Sequence, residues 1–138
     1  MPEPYFLDSN ILIYAFERDI SEKKNIARRL IADSAPWQIS WQTIQEFCSV
    51  ALHKFEIPLD HGYLADLIDL LLSPHCTVFP DEELWQSTLK IQKETQYRFY
   101  DALVVAAALR SGAPVLYSED LQHGRKIADL EIRNPFLD

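Results

Sequence analysis

The sequence predicts an α/β fold, with a short parallel sheet of four to five strands and helices on both faces. Short β-branched or aromatic segments alternate along the chain with longer segments of helical periodicity. Parallel strands need crossover connections, so this alternation indicates right-handed βαβ units. The chain has 138 residues, 48% of them hydrophobic, which is enough for one core. Because no repeat or linker interrupts it, we expect a single domain over residues 1–138.

The first half of the chain is expected to contribute two strands and three helices. The strands are the apolar segment Tyr5–Leu7 and the segment Gln38–Trp41. The helices are expected over Ile11–Phe16, over Glu22–Ala32 and from the end of the second strand to Pro58. A good N-cap for the second of these helices is offered by both Asp19 and Ser21.

The second half begins with a helix that Asp60 can cap and that Pro74 ends, so two consecutive helices separate the second and third strands. A later helix over Phe99–Arg110 is apolar nearly all round, so it must be central in the fold, and Gly112 ends it. Another helix, opened by Asp81, precedes it. The strands expected here are Thr77–Phe79, Pro114–Tyr117 and a short edge strand within Leu130–Phe136.

Composition narrows the possible functions. The two cysteines, Cys48 and Cys76, are too few for a disulfide framework and favour a reducing cytoplasmic setting. The apolar segments near the start are short and interrupted, so we expect neither a signal peptide nor a membrane span. A net charge of −8 argues against binding nucleic acid through a broad basic surface. That objection weakens if carboxylates are concentrated in one pocket, because bound cations then reverse the local field.

Acidic residues follow the predicted strands or begin the predicted helices at four places. They are Asp8, Glu46, Asp101 and Asp120. In an open parallel sheet, ligands bind outside the carboxyl ends of the strands, so all four are expected on the same edge. Carboxylates that converge without basic partners repel one another and need a cation, and carboxylate oxygens are ligands that Mg²⁺ and Mn²⁺ prefer. The pattern indicates a divalent metal site for phosphodiester hydrolysis.

Each acid also has a purely structural explanation. Asp8 and Asp101 could each cap a helix, and Asp120 could be an ordinary turn residue. Thr43–Glu46 matches a capping box, although Ser40 is an equally good cap for that helix. Four separate structural roles on one edge of the sheet are a less economical explanation than one shared site.

Other catalytic motifs are missing from the sequence. It contains no GxGxxG, no GxxxxGK[ST] and no GxSxG, and it has only three glycines. The four histidines show no zinc-ligand spacing. A haloacid-dehalogenase-like phosphatase would need a second Asp two residues after Asp8, where Asn10 stands.

Four segments carry a family resemblance. They are Phe6–Leu12 (FLDSNIL), Ile44–Phe47 (IQEF), Tyr100–Ala108 (YDALVVAAA) and Leu116–Gly124 (LYSEDLQHG). In combination they resemble the PIN-domain family, and most closely its VapC-type toxin branch. Because the segments span nearly the whole chain, the resemblance implies a PIN-like three-layer fold throughout.

The resemblance also implies an activity and a set of site residues. The activity is Mg²⁺- or Mn²⁺-dependent endoribonuclease, with Asp8, Glu46, Asp101 and Asp120 lining the metal site. Asn10 matches a family position that helps arrange the first acid, and Ser118 matches the usual Thr or Ser before the last one. Gln122 departs from the commoner pattern, in which another acid stands there, so a second metal is in question. Glu119 is expected to turn away to the surface.

The partners expected from the resemblance are an RNA substrate, a cognate antitoxin protein that reaches the acidic site with a basic side chain, and a second copy of the chain in a homodimer. This makes the chain the toxin component of a type II toxin–antitoxin system in the cytoplasm. Two alternatives stay open: a catalytically weak PIN domain that binds RNA or protein, and a PIN nuclease that processes RNA outside any toxin system.

Overall fold

The computed structural model describes residues 3–18, 21–32 and 34–137. Its strands are β1 (Tyr5–Leu7), β2 (Trp37–Ser40), β3 (Cys76–Val78), β4 (Val115–Tyr117), β5 (Lys126–Ile127) and β6 (Leu130–Arg133). Within the described residues they form one sheet in the order β3-β2-β1-β4-β6-β5. Neighbouring strands are parallel except β5, which runs antiparallel to β6. The parallel sheet expected from the sequence is confirmed, but it has six strands instead of four to five, and the strand at one edge, β5, is antiparallel.

Helices cover both faces of this sheet. They are α1 (Ser9–Phe16), α2 (Glu22–Leu30), α3 (Trp41–His53), α4 (His61–Leu67), a π-helical turn (Ile68–Leu72), α5 (Ser73–His75), α6 (Glu82–Thr95) and α7 (Phe99–Ser111). Adjacent strand residues alternate between two cores, because side chains point to opposite faces. Phe6 packs with α6 and α7, whereas Leu7 packs with α1 and α3. The result is the expected three-layer arrangement.

Helix α7 is central, as its apolar sequence predicts. The seven consecutive residues from Ala102 to Ala108 are all buried. Their small side chains let the helix lie against both the sheet and α6. The helix ends at Gly112, whose φ of +79° places it in the left-handed region that glycine adopts without strain.

The structure corrects the expectation for the tail. Leu130–Phe136 was expected to contain an edge strand, but β6 lies between β4 and β5, and β5 forms the edge. The connection between β5 and β6 includes Ala128 at a φ of +51°, which a non-glycine residue rarely adopts. The expected cap at Ser21 is confirmed, since its side chain accepts from the backbone N–H of Lys24. Asp19, the other candidate cap, lies outside the described residues.

Candidate active site

The ends of β1 and β4 bring two predicted site residues into direct contact. The two strands are parallel neighbours, and the backbone N–H of Asp8 donates to the carbonyl of Tyr117 at 3.0 Å. This pairing places Asp8 beside Ser118, the residue that directly follows β4. The Ser118 hydroxyl donates to Asp8 Oδ2 at 2.8 Å, and Ser118 is fully buried.

Asp8 is a buried carboxylate held at both oxygens. Only 8% of the residue is exposed, and its Oδ1 accepts from the backbone N–H of Ser9 at 2.7 Å. Asp8 is therefore the N-cap of α1, so the structural explanation for this residue is correct. The capping role does not account for its burial beside other acids, since a cap functions equally well in solvent.

Asn10 connects the first helix to the loop after β4. Its Nδ2 donates to Asp120 Oδ2 at 3.2 Å, and its Oδ1 accepts from the backbone N–H of Glu119 at 3.4 Å. The backbone N–H of Asp120 donates to the hydroxyl of Ser118 at 3.3 Å. The resemblance implied that Asn10 arranges the first acid, but the side-chain hydrogen bonds of Asn10 instead hold the segment that carries the last one.

Glu46 and Asp101 come from the two helices that cover this end of the sheet. Helix α3 has Ser40 as its N-cap, with the side chain accepting from Thr43 N–H at 3.3 Å, so Thr43–Glu46 is not a capping box. Helix α7 begins at Phe99, so Asp101 lies inside its first turn and is not its cap. The structural explanations for these two acids are therefore wrong.

The four acids influence one another electrostatically. Burial, and then the charges of Asp120 and Asp101, raise the pKa of Asp8 from 3.8 to about 6, against the lowering effect of its hydrogen bonds. Burial and the charges of Asp8 and Asp101 raise the pKa of Glu46 from 4.5 to about 7. Burial and the charge of Asp120 likewise raise the pKa of Asp101. Asp8 and Asp101 thus lie within electrostatic reach of each other and of both Glu46 and Asp120.

The donor set suits a hard divalent cation, although its spacing is loose. All the candidate ligands are carboxylate oxygens, and in residues 3–18, 21–32 and 34–137 no Lys, Arg or His forms an ion pair with any of the four acids. Among these same residues, no three Asp, Glu, His or Cys side chains lie close enough to hold one ion jointly. Mg²⁺ is usually bound by one or two carboxylates and keeps several waters, so the set fits such an ion.

Sequence analysis missed the role of Glu119. The residue was expected to turn away from the site to the surface; its side chain does point to α1 and α2, but it is only 23% exposed and its carboxylate accepts from the hydroxyl of Tyr14 at 2.6 Å and from the ammonium of Lys23. These partners lie 105 and 96 residues away in sequence. No local pattern could have indicated such contacts.

Gln122 lies outside this set of contacts. It is exposed, and its Oε1 accepts from Arg125 Nη1 at 2.6 Å. The guanidinium of Arg125 also lies 4.9 Å from the ring centroid of Tyr97, a cation–π distance. The amide that replaces the commoner acid therefore orients a basic side chain.

Comparison with known proteins identifies the family. The family model that matches is the PIN domain, and it covers residues 5–128, most of the chain. The chain belongs to the PIN domain family. The family resemblance carried by the four sequence segments is thereby confirmed. No curated protein sequence matches this PIN domain.

Solved structures share its fold. One is a chain of a toxin–antitoxin complex from Klebsiella pneumoniae, with a TM-score of 0.69, 17% identity, and 96% of this chain and 98% of that chain covered. VapBC-1 from nontypeable Haemophilus influenzae has a TM-score of 0.62 and 23% identity, with 96% of this chain and 98% of that chain covered. VapC20 of Mycobacterium tuberculosis, a Sarcin-Ricin loop cleaving toxin, has a TM-score of 0.62 and 20% identity, with 84% of this chain and 89% of that chain covered. At these identities the likeness shows a common fold, and it includes VapC toxins, the branch expected from the sequence.

Proposed function

We propose that this PIN domain is a Mg²⁺- or Mn²⁺-dependent endoribonuclease and the toxin component of a type II toxin–antitoxin system. The observation that carries the proposal is the burial of Asp8 among other acids. The residue is only 8% exposed, and this burial, followed by the charges of Asp120 and Asp101, raises the pKa of its carboxyl to about 6. An uncompensated group of acids destabilises a fold, so its presence favours a function that uses a cation.

One or two of Asp8, Asp101 and Asp120 would hold the metal directly, and the remaining acids, with Glu46 contributed by α3, would act through its bound waters. A bound divalent cation would polarise the phosphoryl oxygens of RNA and lower the pKa of a bound water. The hydrogen bonds that Ser118 and Ser9 donate fix the orientation of the Asp8 carboxylate. Asn10 fixes Asp120 through Asp120 Oδ2. The chain's own contribution is therefore a preorganised set of oxygen ligands.

The toxin role is supported by the solved structures of similar fold. They include chains from toxin–antitoxin complexes, and one of them is described as cleaving the Sarcin-Ricin loop. The net charge of −8 suits a basic segment of an antitoxin that reaches the acidic site. We place the protein in the cytoplasm, a setting in which the free thiols of Cys48 and Cys76 stay reduced. In the described part of the chain, no helix is long and apolar enough to span a membrane.

A homodimer is part of the same proposal. Trp41, Trp85 and Tyr100 are 45%, 50% and 66% exposed and line one cavity of about 210 Å³ between α3, α6 and α7. Phe79 and Leu89, more than half exposed, lie on the strand–helix connection and the helix beside it. Large exposed apolar patches are typical of protein–protein interfaces, and an aromatic patch of this kind suits a second copy of the chain. We propose one domain over residues 1–138 in each copy.

A second candidate function is a PIN domain that binds RNA or protein without cleaving. Two observations favour it. The described residues hold no close group of three or more metal-binding side chains, and Gln122 contacts Arg125 rather than contributing an acid. A domain of this kind needs no metal site that depends on Asp8 and Asp101.

Cleavage of RNA by the chain freed of any partner tests the proposal. We expect Mn²⁺ or Mg²⁺ to be required, and Asp101→Asn to lower the rate by a factor of about a hundred or more, because it removes a metal-site charge without changing side-chain size. Asp66→Asn, an exposed aspartate of α4, is the matched control. A parent that cuts no RNA with either ion, or an Asp101→Asn variant that cuts as fast as the parent, would refute the proposal.

Mn²⁺ titration calorimetry separates the two candidate functions. A nuclease should bind Mn²⁺ with an affinity that falls at least about tenfold in Asp8→Asn and Asp101→Asn. A binding-only domain should show no heat that depends on either residue. Each protein should be purified through denaturation and refolding, since traces of antitoxin would mask the site.

A further inference from the structure

The side chain of Glu119 meets two side chains from the first two helices, about a hundred residues earlier in the sequence, behind the loop that carries Ser118 and Asp120. The Glu119 carboxylate accepts from Tyr14 of α1 and from Lys23 of α2. The Lys23 ammonium also lies 5.0 Å from the ring centroid of Tyr14 and 5.7 Å from that of Phe136. Tyr14 and Phe136 pack edge to face at 5.2 Å. We call Tyr14, Lys23 and Glu119 the loop anchor.

The anchored loop is the one that positions two candidate site residues. Ser118 donates to Asp8 Oδ2, and Asp120 accepts from Asn10 Nδ2. Glu119 lies between them, so its backbone passes directly from one contact to the other. A displacement of Glu119 would move both Ser118 and Asp120, because backbone bonds allow little independent motion of adjacent residues.

The geometry points to Glu119 as a positioning residue for the acidic site, acting through the loop anchor. This inference rests on the proposed function, since it assigns a role in the same site. The carboxylate of Glu119 faces away from Asp8, towards α1 and α2, and does not belong to the metal-ligand set. Its contribution is to hold the segment from Ser118 to Asp120 in one conformation.

The anchor differs from an ordinary surface ion pair. Exposed pairs contribute little because both side chains are mobile and solvated. The Glu119 side chain is 23% exposed and that of Lys23 is 44% exposed, but both carboxylate oxygens accept hydrogen bonds, one from Tyr14 and one from Lys23. The cation of Lys23 is further held over two aromatic rings. A network of this kind fixes geometry as a unit.

Hydrogen exchange tests the anchor without reference to catalysis. In Glu119→Ala we expect the backbone amides at positions 119 and 120 to exchange at least about tenfold faster than in the parent. The amide of Gln96, which donates to the carbonyl of Gln92 at the end of α6, on the opposite face of the sheet, should be unchanged. Arg110→Ala is the matched control, because Arg110 also forms an ion pair, with Asp81, but in the last turn of α7, at the opposite end of that helix from Asp101.

Cleavage kinetics test the consequence. Because small displacements of catalytic groups reduce rate more than binding, Glu119→Ala should lower kcat about tenfold or more and change KM by less than about twofold. Lys23→Met should act in the same direction, and adding it to Glu119→Ala should lower kcat no further, since both remove one network. Urea unfolding of each variant at the assay temperature shows that the folded fraction is unchanged.

The outcomes separate this inference from the proposed function. Unchanged exchange at positions 119 and 120 in Glu119→Ala, or a kcat no lower than in Arg110→Ala, would overturn the positioning role. Independent, additive losses from Lys23→Met and Glu119→Ala would overturn the anchor. A parent that cleaves no RNA would refute the proposed nuclease, and the exchange measurement alone would then decide whether Glu119 orders the loop.

Discussion

Replacing Asp8 by asparagine is expected to stabilise the metal-free protein at neutral pH, although it removes a buried hydrogen-bonded group. The two side chains have nearly the same shape, and asparagine is as good an N-cap as aspartate, so α1 keeps its first turn. The change removes one negative charge from a site where burial and the charges of Asp120 and Asp101 raise the pKa of Asp8 from 3.8 to about 6.

The magnitude follows from that pKa. One pKa unit corresponds to roughly 1.4 kcal/mol, so the ionised Asp8 destabilises the fold by roughly 3 kcal/mol above pH 7. The asparagine variant makes a weaker hydrogen bond with Ser118 than the carboxylate does, a loss of about 1 kcal/mol. The net expectation at pH 7.5 is a gain in the free energy of unfolding of about 1–2 kcal/mol.

The effect of Asp8→Asn on the free energy of unfolding depends on pH. The folded-state pKa of Asp8 lies above its unfolded value, so the folded state binds the proton more tightly and its stability falls as pH rises from about 4 to about 7. At pH 4 the carboxyl is protonated in the fold and the ionisation penalty shrinks to less than about 1 kcal/mol. There the variant should be no more stable than the parent.

Urea unfolding in the presence of a chelator, at pH 4 and at pH 7.5, measures both quantities. The difference in free energy of unfolding between Asp8→Asn and the parent should increase by about 2 kcal/mol from the lower to the higher pH. Asp66→Asn, in which the replaced aspartate is exposed on α4, gives the baseline. A difference for Asp8→Asn that is the same at both pH values would refute the reasoning.

Three other changes test separate parts of the structure. Ser118→Ala removes the hydroxyl that Asp8 accepts from, and at pH 7.5 it should lower the free energy of unfolding by about 2 kcal/mol, and by less at pH 4; equal losses would contradict this. In Gly112→Ala the added Cβ meets no atom within 4 Å, but a φ of +79° is strained for alanine. The free energy of unfolding measured in urea should therefore fall by about 1 kcal/mol, and an unchanged value would contradict the left-handed conformation of this residue. Trp85→Glu, in the exposed aromatic patch, should weaken self-association measured by sedimentation at least about tenfold. Leu70 is 74% exposed on the π-helical turn, and Leu70→Glu should leave self-association unchanged. Equal effects of the two changes would argue against the aromatic patch as the dimer interface.

The elements that the sequence predicts well are bounded by strong local signals. The strand Tyr5–Leu7 has the expected bounds, and α7 ends where Gly112 allows the left-handed conformation. Asp60 is the N-cap of α4, as expected. The helix ends expected at the prolines are wrong, since α3 ends at His53, well before Pro58, and the helical segment continues through Pro74 to His75. Proline is tolerated in the first turn of a helix, so Pro74 begins α5 rather than ending the segment.

The tail could not be predicted in this way. The connection between β5 and β6 contains no glycine, asparagine or proline, and Ala128 adopts its positive φ only because the paired strands require it. The π-helical turn at Ile68–Leu72 likewise has no sequence signal, since its apolar spacing fits an α-helix equally well. In both places tertiary packing overrides local preference.

In the candidate site, too, some residue positions could be predicted from the sequence and others depend on tertiary contacts. The positions of Asp8 and Ser118 follow from strand order and the rule that ligands bind at the carboxyl end of a parallel sheet. The choice between Ser40 and Thr43 as the cap of α3 needed the structure, because both side chains are suitable. The contacts of Glu119 depend on two helices folding back onto the loop, and a single sequence carries no trace of them.

A crystal structure of the chain soaked in Mn²⁺ tests the central claim most directly, because the anomalous signal locates the ion and its ligands. We expect at least one Mn²⁺ bound by Asp8 together with a carboxylate from Asp101, Asp120 or Glu46, with waters completing its coordination. A strong Mn²⁺ peak that involves none of these four side chains, or no peak at this end of the sheet at millimolar Mn²⁺, would contradict the account.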